Sequence, residues 1–400
     1  MGGDSKNNKM TIHNISICRC GNALSGGEKF TDEVVSRWAK KYPSVNYFGW
    51  SQSSVEPGVC GIRTVNILKD NPSLGDRFKI LVRYFIIIFK SLKFVKKFDT
   101  EKNIIVSHFD AWPNMLFAFL LKLANPTAYW IAVTHNLVFP NPFLRQHIYI
   151  KKFRIPNFFE VYQWLNQKLF FLMQKKADLL ACGNATNREE LLKKNANLHV
   201  IRYGREYFGE PETSMENKLY DICFLGRFHT QKGTDEIPDI LRRLKKSHDQ
   251  KLSVIFIAPK ESPKKGDYLG WLEKEIAEIG YDFKFLGPKY GVEKYNFLKK
   301  SKILLFPSFF ESFGLVYLDA ISVGTPVVEY DLPCYDTHRA GVLKASFRDN
   351  EAFAQNLKRL LIDQELYKIK SLEGYNYSKT FDWDITANGF ESYFEDYCDR

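Results

Sequence analysis

Short apolar runs recur along this chain, and the gaps between them leave room for helices. The first series covers residues 15–17, 47–50, 104–107, 129–134, 179–182 and 200–203. The second covers 221–225, 252–257, 283–286, 303–306 and 326–329. Runs this short and this rich in Ile, Val and Phe suit burial on both faces, the condition of a parallel strand covered by crossover helices. Two such series predict an α/β protein with two doubly wound sheets.

The chain can hold both. Its 400 residues exceed one ordinary domain, and 45% hydrophobic against 26% charged residues is a globular balance. A polar stretch at 204–218, with Gly204, Gly209, Pro211, Glu212 and Ser214, lacks an apolar period and reads as the seam. The expected division is 1–205, 206–375 and a closing segment 376–400. There Phe390, Phe394 and Tyr397 fall at helical spacing, as in an amphipathic docking helix.

The most informative stretch is 304–328, LLFPSFFESFGLVYLDAISVGTPVV. A buried strand should end at Phe306, a loop should carry Glu311, and a helix should run from near Gly314 to Val323, stopped by Gly324 and Pro326. Free amides at Phe313, Gly314 and Leu315 would then offer donors to a phosphate. Glu311, just outside, can accept hydrogen bonds from hydroxyls. A second loop, Gly226-Arg227-Phe228-His229-Thr230-Gln231-Lys232-Gly233, follows the strand at 221–225. Arg227 and Lys232 there could neutralise a bound phosphate without a metal. Taken singly, each feature also has a structural reading: a helix-capping carboxylate, a solvated aspartate, two solvated cations.

Together these residues resemble family 4 of the retaining glycosyltransferases, which have the GT-B fold of two Rossmann-like domains facing a central cleft. The family's mark is Glu-x7-Glu before a Gly-Thr-Pro-Val turn; here it reads Glu311, Asp319 and Gly324-Thr325-Pro326-Val327. The resemblance implies that Glu311 contacts the transferred sugar, that Asp319 contacts the ribose, and that Arg227 and Lys232 hold the diphosphate beside Gly226. Asp319 departs from the family's Glu, and Ala258-Pro259 stands where members often have a glycine-rich turn. Pro288, after another strand, would line the base pocket.

On the first domain, Gly26-Gly27 matches the family's loop after the first strand, which implies that Gly27 lies near the donor phosphate and Gly26 near the acceptor. His135, at the end of the strand at 129–134, matches a histidine that faces the transferred sugar. His108 and Asp110 are candidate acceptor contacts. The stretch Phe381-Asp382-Trp383-Asp384 resembles the one before a last helix that crosses back to the first domain. The activity implied is retaining, metal-independent hexosyl transfer from a nucleotide diphosphate sugar, with no cofactor. Three rivals stay open: a soluble disaccharide or sugar-phosphate synthase, a non-catalytic scaffold of the same fold, and a nucleic-acid binder.

Charge and aromatic content bear on the acceptor. The formal net charge is +11, which attracts phosphate-rich partners, yet no nucleic-acid-binding signature occurs. Residues 77–98 contain no acid; at 100° per residue Lys79, Arg83, Lys90, Lys93 and Lys97 form one stripe, opposite Leu81, Phe85, Ile88, Leu92 and Val95. Such a helix suits an anionic membrane surface or a crossover packed on the sheet. With the aromatic-basic stretch 143–176, it favours a lipid-linked acceptor. Seven scattered cysteines offer no metal spacing and fit reduced thiols. The N-terminus has no apolar core of a signal peptide, and no run spans a bilayer, so a cytoplasmic protein, peripheral on the inner face of the membrane, is expected.

Overall fold

The structure, a computed structural model, describes residues 10–17, 26–50, 62–68, 77–108, 112–135, 144–147, 150–153, 158–183, 197–259, 267–311, 313–332 and 335–399. Two units divide the chain: Met1–Gly204 with Trp383–Arg400, and Arg205–Asp382.

The first unit contains β1 (Met10–Ile15), α1 (Gly26–Lys41), β2 (Ser44–Trp50), β3 (Ile62–Leu68), α2 (Arg77–Ser91), β4 (Lys102–Ser107), α3 (Trp112–Ala124), β5 (Tyr129–Thr134), β6 (Leu144–His147), β7 (Ile150–Phe153), α4 (Phe158–Gln174), β8 (Leu179–Cys182) and β9 (Leu198–Val200). Its sheet is parallel, in the order β3-β2-β1-β4-β5-β8-β9; β6 and β7 form a separate antiparallel pair. Ile105, Trp130 and Leu180 from the strands pack with Met115, Phe117 and Leu121 of α3. Each such side chain contributes about 1.5–3 kcal/mol by leaving water. Trp130 is fully buried, and its Nε1 donates to Ser107 Oγ at 3.1 Å, so its one polar atom is satisfied.

The second unit contains β10 (Tyr220–Leu225), α5 (Ile237–Ser247), β11 (Ser253–Ile257), α6 (Tyr268–Ile279), β12 (Asp282–Phe285), α7 (Gly291–Lys299), β13 (Ser301–Phe306), α8 (Leu315–Ile321), β14 (Val327–Tyr330), β15 (Val342–Ala345), α9 (Asn350–Ile362) and α10 (Gln364–Ser378). Its parallel sheet runs β12-β11-β10-β13-β14-β15. Helix α5 buries Ile237, Ile240, Leu241 and Leu244, one stripe at helical spacing. Helix α6 starts where Asp267 accepts from the Gly270 amide at 2.9 Å and stops at left-handed Gly280. In each sheet the unit's first strand is flanked by strands leading in opposite directions, which creates a switch point at its carboxyl end.

The chain then returns to the first unit as α11 (Trp383–Asn388) and α12 (Glu391–Asp399). Phe390 and Phe394 meet Trp38 of α1 at 5.6 and 5.3 Å, and Tyr397 Oη donates to the Thr127 carbonyl at 2.9 Å. The return begins at Trp383 rather than at residue 376, because α10 belongs to the second unit and buries Tyr367 and Tyr375 there.

Other expectations shift as well. Strand β1 ends at Ile15, where the expected run 15–17 begins, since Thr11, His13 and Asn14 interrupt its apolar run while being buried. The sequence pattern does not reveal β3, β6, β7 or β15, and β9 precedes residues 200–203. Helix α2 ends at Ser91, so Lys93, Val95 and Lys97 leave it, and its inward face centres on Ile87 rather than on Phe85, which is exposed. Among the described residues no group of His, Cys, Asp or Glu could hold a metal, and no helix is long and apolar enough to cross a membrane.

Candidate functional site

At the switch point of the second sheet, two loops leave the carboxyl ends of β10 and β13. Two hydrogen bonds tie them: the Phe309 amide donates to the Gln231 carbonyl at 2.8 Å, and the Gln231 side-chain Nε2 donates to the Phe310 carbonyl at 3.0 Å. Gly233 makes this approach feasible. Its φ is +62°, and a Cβ there would stand 1.8 Å from the Pro307 carbonyl oxygen.

This staple brings Lys232 against Glu311. The ammonium bonds the carboxylate directly, and Ser308 Oγ donates to the same Oε1 at 2.9 Å. Their side chains are 14% and 9% exposed. Two groups this far out of water satisfy each other, and removing one strands the other. An ammonium has three hydrogens, so after Glu311 it retains capacity for another anion. The lysine stem passes Gly226, its Cδ 3.9 Å from where a Cβ would sit. Arg227 is exposed at the mouth of the same loop. The two cations therefore differ: Lys232 is held by Glu311, not free in solvent, while Arg227 is open to water.

Beyond Glu311 the helix is shorter than expected. It spans seven residues, Leu315–Ile321, not 314 to 323, so its dipole is brief. Phe313 and Gly314 are buried, and Gly314 takes φ +80° where a Cβ would meet His338 Cε1 at 2.8 Å. His338 Nε2 donates to the Phe313 carbonyl at 2.8 Å, its Nδ1 lies 2.7 Å from Glu329, and Tyr317 and Tyr335 stack on its ring. Burial raises the Glu329 carboxyl above its ordinary value, opposed by His338. Glu329 closes the expected strand at 326–329, but nothing in the sequence signals that it pairs with His338.

Asp319 sits within α8, and its carboxylate is taken up by Lys294 at 2.6 Å and by the Tyr295 hydroxyl. Its partners on α7 are not those of Glu311, so the two motif carboxylates occupy separate networks. Pro288 is exposed after β12.

In the first unit, His108 and His135 follow β4 and β5. Their rings are parallel at 6.4 Å. His135 Nδ1 lies 2.7 Å from the Tyr203 hydroxyl, and burial pushes its pKa down to about 3. His108 is wholly buried, which holds it neutral, and its Nε2 is 2.5 Å from Asn14 Oδ1. Two neutral imidazoles can share hydrogen bonds but supply no charge. The sequence does not single out Asn14, within β1, or Tyr203, just after β9. Gly26 and Gly27 open α1 rather than forming a loop, and the Thr31 hydroxyl donates to the Gly27 carbonyl at 2.9 Å. Asp110 lies outside the described residues.

The family-model match lies within the second unit. Residues 209–376 match the family model described as glycosyl transferases group 1. A D-inositol 3-phosphate glycosyltransferase of Corynebacterium jeikeium is 28% identical over 181 residues, 44% of this chain and 43% of that protein. An uncharacterised glycosyltransferase of Methanocaldococcus jannaschii is 31% identical over 109 residues, 27% and 26% of the two chains. This chain thus spans less than half the length of these curated relatives. The fold likeness extends further. Sucrose-phosphate synthase from Thermosynechococcus elongatus superposes with a TM-score of 0.69 at 16% identity, covering 97% of this chain and 98% of that one. Anabaena HepE in complex with UDP-glucose gives 0.70 at 12% identity, covering 97% and 99%. The architecture is GT-B.

Proposed function

We propose, from the premise that residues 209–376 belong to the glycosyl transferases group 1, that this chain moves a sugar from a nucleotide diphosphate sugar to an acceptor. The observation that carries this reading is the Lys232–Glu311 pair, set where the loops after β10 and β13 are stapled together. A donor diphosphate reaching this point would meet the remaining ammonium hydrogens of Lys232 and the guanidinium of Arg227. As the glycosidic bond lengthens, negative charge grows on the leaving diphosphate, and these fixed cations stabilise it without reorganising. Glu311, held by Lys232 and Ser308, is oriented to accept from sugar hydroxyls. Gly226, Pro288, Phe313, Gly314, Leu315 and Asp319 complete the donor contacts of the second unit in this reading.

HepE, a fold neighbour, is described with UDP-glucose, which supports a nucleotide-sugar donor. The reaction retains the anomeric configuration and needs no metal; chelator should leave the rate unchanged. His135 touches the transferred sugar, and Gly26, His108 and Asp110 serve the acceptor, a lipid-linked or membrane-associated glycan. The alternative reading, a soluble disaccharide or sugar-phosphate synthase of the same fold, differs in its acceptor, and the test below includes it.

The test is a thermal-shift screen of nucleotide diphosphate sugars, then product mass spectrometry with lipid-linked and sugar-phosphate acceptors. A donor at 100 times its Kd should add about 2.7 kcal/mol. Absence of any donor shift and of any product defeats the proposal. Products whose formation survives Glu311→Gln would defeat the assignment of the site.

A further inference from the structure

The outer helices of the first unit carry more apolar surface than the fold uses. On α2, Ile87 and Ser91 face inward. On the other side Val82 is 46% exposed, Phe85 67%, Ile86 45% and Phe89 78%, at the i, i+3, i+4, i+7 spacing of one stripe. Helix α3 links α2 to α4 through Trp112: its ring meets Tyr84 and Phe85, and its Nε1 donates to the Tyr162 hydroxyl at 2.8 Å. In this same layer of three helices, Leu123 of α3 and Leu165, Leu169 and Leu172 of α4 are also exposed. Single exposed leucines are ordinary, whereas an exposed helix stripe with two phenylalanines calls for a partner.

The charges say which partner. Helices α2 and α3 contain no Asp or Glu, and α4 has Glu160 alone. Exposed Lys90, Lys93, Lys168, Lys175 and Lys176 stand on or just beyond these helices. We infer that α2 lies in the surface of a bilayer carrying anionic lipid, with Phe89 and Ile86 in the acyl boundary and Lys90 and Lys93 among the headgroups. A second copy of the chain fits less well, because a two-fold interface would set these acid-poor, lysine-bearing helices against themselves. The inference is independent of the transfer chemistry, so membrane binding and catalysis can fail separately.

Flotation of the full chain with vesicles tests it. The protein should float with vesicles of three parts phosphatidylcholine to one part phosphatidylglycerol, and not with phosphatidylcholine alone. Binding should weaken from 0.1 to 1 M salt. Ile86→Ser/Phe89→Ser should lower the bound fraction at least tenfold, while its melting temperature and donor-induced shift match the parent's. Phe89→Glu alone serves if the double variant misfolds. Failure to float with the anionic vesicles at low salt overturns the inference. So does equal flotation without phosphatidylglycerol, equal flotation of the folded variants, or a dimer that the substitutions dissolve while the parent never floats.

Discussion

Strands β1 and β10 hold the same place in their sheets, each the first strand of its unit and each flanked by the strands that define a switch point. Their chemistry differs. In β1, Thr11, His13 and Asn14 are buried beside Ile12 and Ile15, and His13 bonds Asn103 at 3.0 Å. In β10 the buried residues are Ile222, Cys223 and Phe224. The first unit thus builds neutral polar groups into its first strand, whereas the second keeps the fully buried part of β10 apolar and places Lys232, Arg227 and Glu311 in the loops beyond the strands. Neutral imidazoles and amides suit hydroxyl recognition, whereas Lys232, Arg227 and Glu311 suit a charged donor. The expected division of labour is acceptor chemistry on the first unit and donor chemistry on the second.

The strongest way to break that division is Lys232→Ala. It should cut transfer by about 10²–10³-fold, roughly 3–4 kcal/mol of barrier, and abolish the donor-induced thermal shift. His135→Ala should lower turnover while keeping the shift. If the His135 variant loses donor binding and the Lys232 variant keeps it, the division is reversed.

Gly233→Ala is next in size. Forcing a Cβ against the Pro307 carbonyl at φ +62° should cost the second unit about 2 kcal/mol or more. Segment-resolved hydrogen exchange should show faster opening across β10 and β13, with β1 and β4 unchanged.

A smaller effect comes from pH. Burial lowers His13 to about 4 and His135 to about 3, against the ordinary histidine value of 6.5. The unfolded chain therefore binds these protons more readily. Their contribution is complete above pH 6.5 and drains away as pH falls toward 4 and 3, by about 1.4 kcal/mol per histidine per unit at first. Glu329, whose carboxyl is raised by burial, works in the opposite direction in the second unit, which gains stability as pH falls below that raised value. Exchange at pH 7 and 5, corrected for intrinsic rates, should show β1 and β5 losing protection before β10 and β14.

The smallest change expected is Asp319→Asn. With Lys294 and Tyr295 already holding that carboxylate, donor KM should rise severalfold and kcat should hold. An equal fall in kcat and kcat/KM would place Asp319 in the reaction itself.

Legibility followed the same contrast. In the second unit, the expected strands at 221–225, 252–257, 283–286, 303–306 and 326–329 overlap β10 to β14, since buried apolar runs announce themselves. In the first, β1 was placed late because its polar residues hide the run, and β3 carries Arg63, Thr64 and Asn66 among its apolar positions. The phase of α2 was misjudged for a related reason. With apolar residues on most of its circumference, spacing could not tell the face against α3 from the face toward solvent.

Sequence by itself determined the two α/β units, the strand-end loops that bear Lys232 and Glu311, and the family resemblance, because local hydrophobic period and loop composition are written residue by residue. Only the tertiary structure decided that Lys232 is bound to Glu311 and Asp319 to Lys294, that His338 clamps the Phe313 carbonyl, and which side of α2 stays bare. Those outcomes depend on which distant groups packing brings within a few ångströms, and charge pairing and burial act over distances in space that spacing along a chain does not encode.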